Sequence, residues 1–448
     1  MFRLPWTMSQ VGVEQLVGLL SADEEKGLSD RASEAFEAWT RATADELDHL
    51  VAAAIKAGDG KPGELSAQIL EFLTPADSTP GRAVKKGFDL AQQAVESLQA
   101  AASEHDRPAW VEFSNKLESF ATFRYVDDVL GLDPAADPSL HELVNQAQAL
   151  EPYRAVWATE GLGYYWTERT WDQGAPPSQL FAGETADKGM LALHAGMGLS
   201  MARRCLQDLD AGCAATEVQQ QLHRFVALCR DNSQEGYTEV ALEALGLIAR
   251  SLHPDLVEPI DQQLSSIYPE ILPYFWHGVG RGSYFLPFNL VPRLSSASRA
   301  LEVLRREAPN EEAWNNALSG LAWPIILVNI RHPQIIEAFV AQHGDQLAAT
   351  DAFASGAGSS IATWFDSTGG DPHLVRFCQH SSDSADDRRM QLWESQVREP
   401  CRQALKDYYP DLKKNHLLGN LFRYYSLDPP GMANFGDPVL STVPHATR

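Results

Sequence analysis

The sequence is poor in cysteine and in positive charge. Its five cysteines form no Cys-x-x-Cys pair and are too scattered for a disulfide framework, so a reducing compartment suits the protein best. Lysine and arginine number 36 against 60 aspartates and glutamates, which gives a formal net charge of −24. Because this charge opposes binding to phosphate backbones and to anionic membrane surfaces, we expect no nucleic-acid partner.

Long apolar runs are also missing. The longest, LAWPIILVNI (321–330), is about half the length of a transmembrane helix and contains Pro324. The first residues, MFRLPWTMSQVGVEQL, show neither the uninterrupted apolar stretch nor the small-residue cleavage site of an export signal. With 44% hydrophobic residues, the chain can still bury a large core. We therefore expect a globular cytoplasmic protein with no membrane span.

The alternation of apolar and polar residues that is typical of a half-buried strand is absent from the sequence. Apolar residues recur instead at helical spacing, as in AVKKGFDLAQQAVESLQAAA (83–102). We predict an all-α fold in three regions. These are a helical N-terminal region (1–145), an array of αα repeats around a candidate central cavity (146–385), and a C-terminal helix with a Pro/Gly-rich tail (386–448).

Glycines recur in one local setting through the middle region. Six segments, such as EGLGYYW, AGMGLSM and HGVGRGS, align on a glycine at steps of 35 to 42 residues, which suits about six αα repeats. Glycine costs about 1 kcal/mol relative to alanine inside a helix, but without a Cβ it lets another backbone come close. We therefore predict that the glycine-rich helices form the crowded inner layer. The aligned glycines are Gly161, Gly196, Gly236, Gly278, Gly320 and Gly356.

Polar residues beside the aligned glycines are the predicted catalytic groups. Glu160, Glu235 and His277 each precede a glycine and would point the same way from successive inner helices. His194 lies one residue off this column, and Arg281 lies one helical turn beyond His277. Such groups could act as acids and bases or form a mixed histidine and carboxylate metal site, while the arginine could hold a carboxylate or carbonyl. The alternative is that each side chain hydrogen-bonds a neighbouring helix.

A second hypothesis concerns carboxylates. Asp231, Glu235 and Glu239 stand four residues apart, which would place them on one helical face, and a second acidic cluster occurs in FRYVDDVLGLD (123–133). Two such clusters could hold Mg²⁺ against a diphosphate, as in class I terpene cyclases, which these features resemble. The second cluster contains no acidic pair at i, i+4 among Asp127 and its neighbours, so a solvated acidic face is the alternative.

Five segments carry a further resemblance. They are TEGLGYYW (159–166), HAGMGLSMARR (194–204), DNSQEGYTEVA (231–241), FWHGVGRGSYF (275–285) and LSGLAW (318–323). Over residues 110–385 the chain resembles an uncharacterised domain family encoded beside enediyne polyketide synthases and in some other bacterial natural-product gene clusters. At 237–245 aliphatic residues replace the aromatic residues and histidines expected for the family. The resemblance implies a biosynthetic context and transfers no catalytic residues.

Aromatic residues within or next to the glycine segments predict an apolar cavity wall for substrate binding. They are Trp166, Trp276, Tyr284, Phe285, Trp323 and Trp364. We predict a protein of bacterial natural-product biosynthesis that binds an apolar polyene or isoprenoid-like intermediate there and cyclises or isomerises it by acid-base chemistry, without a cofactor. Two alternatives stay open. One is a magnesium-dependent, terpene-cyclase-like enzyme acting on an isoprenyl diphosphate, and the other is a non-catalytic scaffold or carrier for a biosynthetic synthase.

Overall fold

The computed structural model describes residues 107–132, 138–172, 174, 176–181, 188–210, 212–286, 296–382 and 386–427. The predictions made for residues 1–106 and for the Pro/Gly-rich tail from residue 428 onward lie outside these ranges. Within them, no helix combines the length and the apolar composition that crossing a membrane requires.

The all-α prediction is confirmed, because the described residues form helices and no strand. The helices are α1 Arg107–Arg124, α2 Val126–Val129, α3 Leu140–Gln148, α4 Pro152–Asp172, α5 Met190–Leu206, α6 Ala215–Asn232, α7 Thr238–Leu252, α8 Val257–Ile267, α9 Leu272–Tyr284, α10 Ser296–Glu307, α11 Glu311–Val328, α12 Pro333–Leu347, α13 Ala352–Thr368, α14 Pro372–Gln379, α15 Asp387–Trp393, α16 Glu399–Gln403 and α17 Tyr409–Lys414. A short 3₁₀ helix, Leu418–Phe422, follows α17.

Two layers of helices build the array. The inner layer consists of α4, α5, α7, α9, α11 and α13, which we call the glycine helices; each packs against the next in chain order, and α13 also contacts α4 and α5. These helices are buried nearly all round, and in α5 every residue from Met190 to Ala202 is buried. Helices α6, α8, α10 and α12 form a second layer. There α6 buries one face only, through residues such as Val218, Leu222 and Phe225, as expected of an amphipathic helix with a solvated side.

The glycine helices touch backbone to backbone. A Cβ added at Gly196 would lie 1.8 Å from the carbonyl oxygen of Glu160 on α4, and one at Gly320 would lie 1.9 Å from that of His277 on α9. Because any side chain at these points would force the helices apart, the prediction that glycine permits close approach is confirmed there. Three other aligned glycines face a carbonyl oxygen of a neighbouring helix in the same way, namely Gly161, Gly278 and Gly356.

Gly236 departs from this pattern. It lies in the turn before α7 with a φ of 85°, a left-handed conformation that glycine adopts readily, so the prediction that it belongs to an inner helix is wrong. Within α7 the close contact is made by Gly246, whose Cβ would lie 1.9 Å from the carbonyl oxygen of Phe275. The division into about six αα repeats stays a prediction.

The chain after α17 returns across the N-terminal parts of α7, α9, α11 and α13. We call residues 416–427 the C-terminal segment. The backbone amide of Gly419 donates to the carbonyl oxygen of Gly236, just before α7, at 2.8 Å. All five residues of the 3₁₀ helix Leu418–Phe422 are buried. The described part of the predicted C-terminal region thus packs directly on the inner layer.

Replacing Gly320 by alanine should destabilise the fold, although alanine favours a helix by about 1 kcal/mol. The new methyl group would lie 1.9 Å from the carbonyl oxygen of His277, and overpacking of this kind typically costs about 1–3 kcal/mol. Urea unfolding followed by circular dichroism measures the difference. Gly370→Ala is the matched control, since nothing lies within 4 Å of a Cβ at that position. Equal stability of the two variants would contradict the close-contact explanation.

Candidate functional site

Four charged or titratable side chains meet between three glycine helices. We call Glu160 on α4, Glu243 on α7, and His277 and Arg281 on α9 the ionic cluster. Arg281 donates from Nη2 to Glu160 Oε1 at 2.5 Å and from Nη1 to Glu243 Oε2 at 3.2 Å. His277 Nδ1 lies 3.1 Å from Glu243 Oε1. All four side chains are buried, and two of them, Glu243 and His277, have 0% exposure.

Close helix packing brings these groups together. His277 and Arg281 lie one turn apart on the same face of α9. Between them, Gly278 lets α7 approach so closely that a Cβ there would lie 2.1 Å from the carbonyl oxygen of Glu243. A side chain at position 278 would move α7, and with it the Glu243 carboxylate, away from both partners on α9.

Burial controls the protonation of the cluster. It lowers the pKa of His277, an effect that the Glu243 carboxylate opposes, so we take the imidazole as neutral. A carboxylate can only accept, which assigns the proton to Nδ1 and leaves Nε2 with a free lone pair. Burial raises the pKa of Glu160, although Arg281 acts against this shift. Burial also disfavours charged Arg281, but the two carboxylates outweigh it and raise the arginine's pKa.

Buried polar atoms beside the cluster have no hydrogen-bond partner among the residues that the structure describes. These atoms are Nε2 of His277, Nε of Arg281, Nε1 of Trp323 and Oγ of Ser319. The Arg281 guanidinium carbon lies 4.0 Å from the centre of the Trp323 ring, a cation-π contact. Buried polar groups are usually paired, so unpaired ones of opposite character on two touching helices indicate a place for a water molecule or for a polar group of a ligand.

Aromatic rings surround this place. Phe422 of the C-terminal segment meets the His277 ring at 6.1 Å and the Trp323 ring at 6.3 Å between centroids. Trp323 meets Trp157 at 6.3 Å. The contacts continue from Trp157 to Tyr153 and from Tyr153 to Trp364. Two of the six predicted aromatic residues, Trp323 and Trp364, therefore belong to one chain of ring contacts that begins at the cluster.

The other four predicted aromatic residues lie elsewhere. Trp276 donates from Nε1 to Asp261 on the second-layer helix α8 at 2.7 Å, because consecutive residues of a helix point about 100° apart and His277 faces inward. The hydroxyl of Tyr284 donates to a glutamate of α1 at 2.6 Å. Trp166 and Phe285 are only partly buried. The six residues thus do not form one cavity wall.

His194 has a separate environment. Its Nδ1–H donates to the carbonyl oxygen of Met190 at 2.7 Å, and its Nε2 accepts from the backbone amide of Gln234 at 3.1 Å. The ring stacks on Tyr237 with 4.8 Å between centroids. Both ring nitrogens are therefore satisfied, and the residue ties α5 to the turn before α7, as the structural alternative predicted.

The three carboxylates predicted to share one helical face are separated in the structure. Asp231, Glu235 and Glu239 do not share a helical face, because α6 ends at Asn232 and α7 begins only at Thr238. Asp231 and Glu235 are exposed, whereas Glu239 is buried. In the described part of the chain, no group of three or more His, Cys, Asp and Glu side chains is arranged to hold a metal ion. Glu235 also lies outside the ionic cluster, contrary to prediction.

Glu243 is the member of the cluster that sequence reasoning missed. It stands alone in the apolar stretch VALEALGLIA (240–249), and a single carboxylate in such a helix is a signal for a buried partner. The alignment on Gly236 hid it. The close-packing glycine of this segment is Gly246, and Glu243 lies one helical turn before it.

Arg281→Met should lower the free energy of unfolding by about 3–5 kcal/mol, because two carboxylates would stay buried without a counter-charge. A second change, Glu160→Gln, removes one of these carboxylates and should recover part of the loss in the double variant. Urea unfolding of wild type, both single variants and the double variant at pH 7 measures the coupling. Additive losses would show that the two side chains do not act as a pair.

Stability should depend on the protonation of His194. Burial lowers its pKa to about 4, so between about pH 6.5 and pH 4 the unfolded chain binds a proton that the folded chain does not. Stability present above pH 6.5 is lost as the pH falls, by about 3 kcal/mol in total. The variant His194→Gln lacks this titration, so its difference from wild type in unfolding free energy should shrink from pH 7 to pH 4. A difference that is independent of pH would contradict the assignment.

No protein-family profile, no curated protein and no solved structure matches the chain. The resemblance to the family encoded beside enediyne polyketide synthases therefore stays a prediction. A function for the chain has to be argued from the ionic cluster and its surroundings.

Proposed function

We propose that the protein binds a small, largely apolar polyene or isoprenoid-like intermediate of bacterial natural-product biosynthesis, and that His277 moves a proton on it during a cyclisation or isomerisation. The observation that carries the proposal is the buried Nε2 of His277, which has no partner among the described residues. The biosynthetic context rests on the sequence resemblance alone.

The environment of His277 suits a general base. Burial lowers the pKa of the imidazole, so Nε2 keeps its lone pair at neutral pH. When Nε2 takes a proton, the Glu243 carboxylate, 3.1 Å from Nδ1, stabilises the imidazolium that forms. The same hydrogen bond fixes the tautomer and the orientation of the ring. Arg281 holds the other oxygen of Glu243 at 3.2 Å and so keeps that carboxylate in place.

The surroundings favour an apolar ligand with one polar group. Aromatic rings of Trp323 and Phe422 lie beside the imidazole, and aromatic faces bind planar conjugated molecules well. The unpartnered Nε1–H of Trp323 could donate to a carbonyl or hydroxyl oxygen of the ligand. A diphosphate, by contrast, would need cations that neutralise it, and the one arginine of the cluster already binds two carboxylates. No observation favours the magnesium-dependent alternative.

His277→Asn tests this proposal. Asparagine can still donate to Glu243 but has no base at the position of Nε2, so the fold should persist and proton transfer should stop. The probe is β-ionone, a conjugated ketone with exchangeable carbon-bound hydrogens, incubated in D₂O and analysed by mass spectrometry. Wild type should exceed the variant in deuterium incorporation by roughly 10²- to 10⁴-fold, the usual contribution of general-base catalysis.

The matched control is His194→Gln, which changes a buried histidine whose two nitrogens are already satisfied. It should lose stability and keep the exchange rate. Deuterium incorporation by His277→Asn at the wild-type rate would contradict the role of His277. Incorporation by wild type no faster than in buffer would contradict the proposed function as a whole.

A further inference from the structure

We propose that the C-terminal segment is a lid over the ligand site and that Asp351 is its latch. This inference rests on the proposed function for what the lid covers, since the site is the one beside His277. The segment crosses the N-terminal parts of α7, α9, α11 and α13, and its Phe422 side chain is 1% exposed. The ring of Phe422 packs against His277 and Trp323, where the unpartnered polar atoms lie. A ligand that binds these atoms from this end must displace Phe422.

The way in which the segment is held differs from the way in which the helices hold each other. The glycine helices interlock through backbone contacts that leave no room for a side chain. The segment makes one such contact at its start, where a Cβ on Gly236 would lie 2.3 Å from the carbonyl oxygen of His416, and beyond Gly419 it is held by side-chain packing and by single hydrogen bonds. The hydroxyl of Tyr274 donates to Asn420 at 2.9 Å, and the backbone amide of Tyr424 donates to Asn316 at 2.8 Å. Water can replace such bonds when the segment leaves, whereas the burial of Leu418, Leu421 and Phe422 favours the closed position. The lid is therefore closed at rest and opens while the inner layer stays packed.

Asp351 gathers the far end of the segment. Its carboxylate accepts hydrogen bonds from the hydroxyl of Tyr424, from the hydroxyl of Ser426 and from the backbone amide of Leu427. Asp351 immediately precedes α13, where the positive end of the helix dipole favours a carboxylate. One side chain of the rigid inner layer thus fixes three groups of the segment, as a latch would.

Gly419 lets the lid close fully. A Cβ at this position would lie 2.5 Å from Oε2 and 2.8 Å from Cβ of Glu239 on α7. The second distance is to the stem of that side chain, which cannot swing away, so a larger residue at 419 would keep the segment from seating. Opening the lid from this side does not involve Asp351, and it provides an independent test.

The test compares Asp351→Ala and Gly419→Val with wild type by amide hydrogen exchange. The amides of residues 418–427 should exchange roughly 10- to 100-fold faster in both variants. Asp351→Ala removes hydrogen bonds that hold the segment, and Gly419→Val prevents its close packing against α7. Amides of α9 should keep their wild-type rates. Asp386→Ala is the matched control, because Asp386 also stands before a helix, where its carboxylate accepts from the backbone amide of Arg388. This variant should leave the exchange rates of the segment unchanged.

Access to the site is measured with N-phenyl-1-naphthylamine, an uncharged fluorescent probe, by stopped flow. Its association rate should rise in both variants by about the factor found for exchange. Equal exchange of the segment and of α9 would show that the segment opens only with the whole fold, which overturns the lid. Faster exchange with an unchanged association rate would overturn it too. Neither readout needs turnover, so failure of His277→Asn to stop proton exchange refutes the proposed function and leaves the lid standing.

Discussion

Contact between helix backbones is the constraint on which the rest of the structure depends. Wherever two glycine helices that follow each other in the chain meet, a carbonyl oxygen of one occupies the space that a Cβ of the other would need. His277 lies between two such contacts, since Gly278 faces the carbonyl oxygen of Glu243 and Gly320 faces the carbonyl oxygen of His277 itself. The distances between α7, α9 and α11 are therefore set by van der Waals contact between backbone atoms. The positions of the polar side chains beside these contacts are fixed as a result.

An ionic cluster placed between such helices has little freedom to relax. Burying charges costs solvation, and their attraction offsets this cost only when the geometry is good. Arg281 meets the requirement by bridging Glu160 on one helix and Glu243 on another. Glu243 binds both Arg281 and Nδ1 of His277, while Nε2 of His277 has no partner among the described residues. The rigid packing of the helices holds the charges in a geometry that offsets their desolvation, and it also fixes the orientation of this nitrogen.

The sequence predicted much of this arrangement, because glycine in a helix carries two kinds of information. Its cost in helix propensity makes a chance occurrence unfavourable, and its small size indicates close approach; together they identified the inner layer and brought Glu160, His277 and Arg281 to one site. The same residue also serves turns with positive φ, and a single sequence does not distinguish the two uses. Gly236 serves a turn of this kind. Because it was aligned with the glycines of the inner helices, the sequence placed Glu235 in the site and did not indicate Glu243. The return of the C-terminal segment depends on contacts across the chain that no local pattern contains.

In the proposed mechanism, closure of the C-terminal segment and the protonation of His277 are linked. Burial is the largest cause of the lowered pKa of His277, and Phe422 supplies part of that burial. With the segment in place, water is kept from Nε2 and the neutral base is favoured. When the segment leaves, solvation of the imidazole weakens this effect, so a ligand that takes the place of Phe422 must restore it. An apolar ligand does so, whereas an anion would favour the imidazolium. The position of Phe422 over His277 therefore supports the proposal of an apolar ligand.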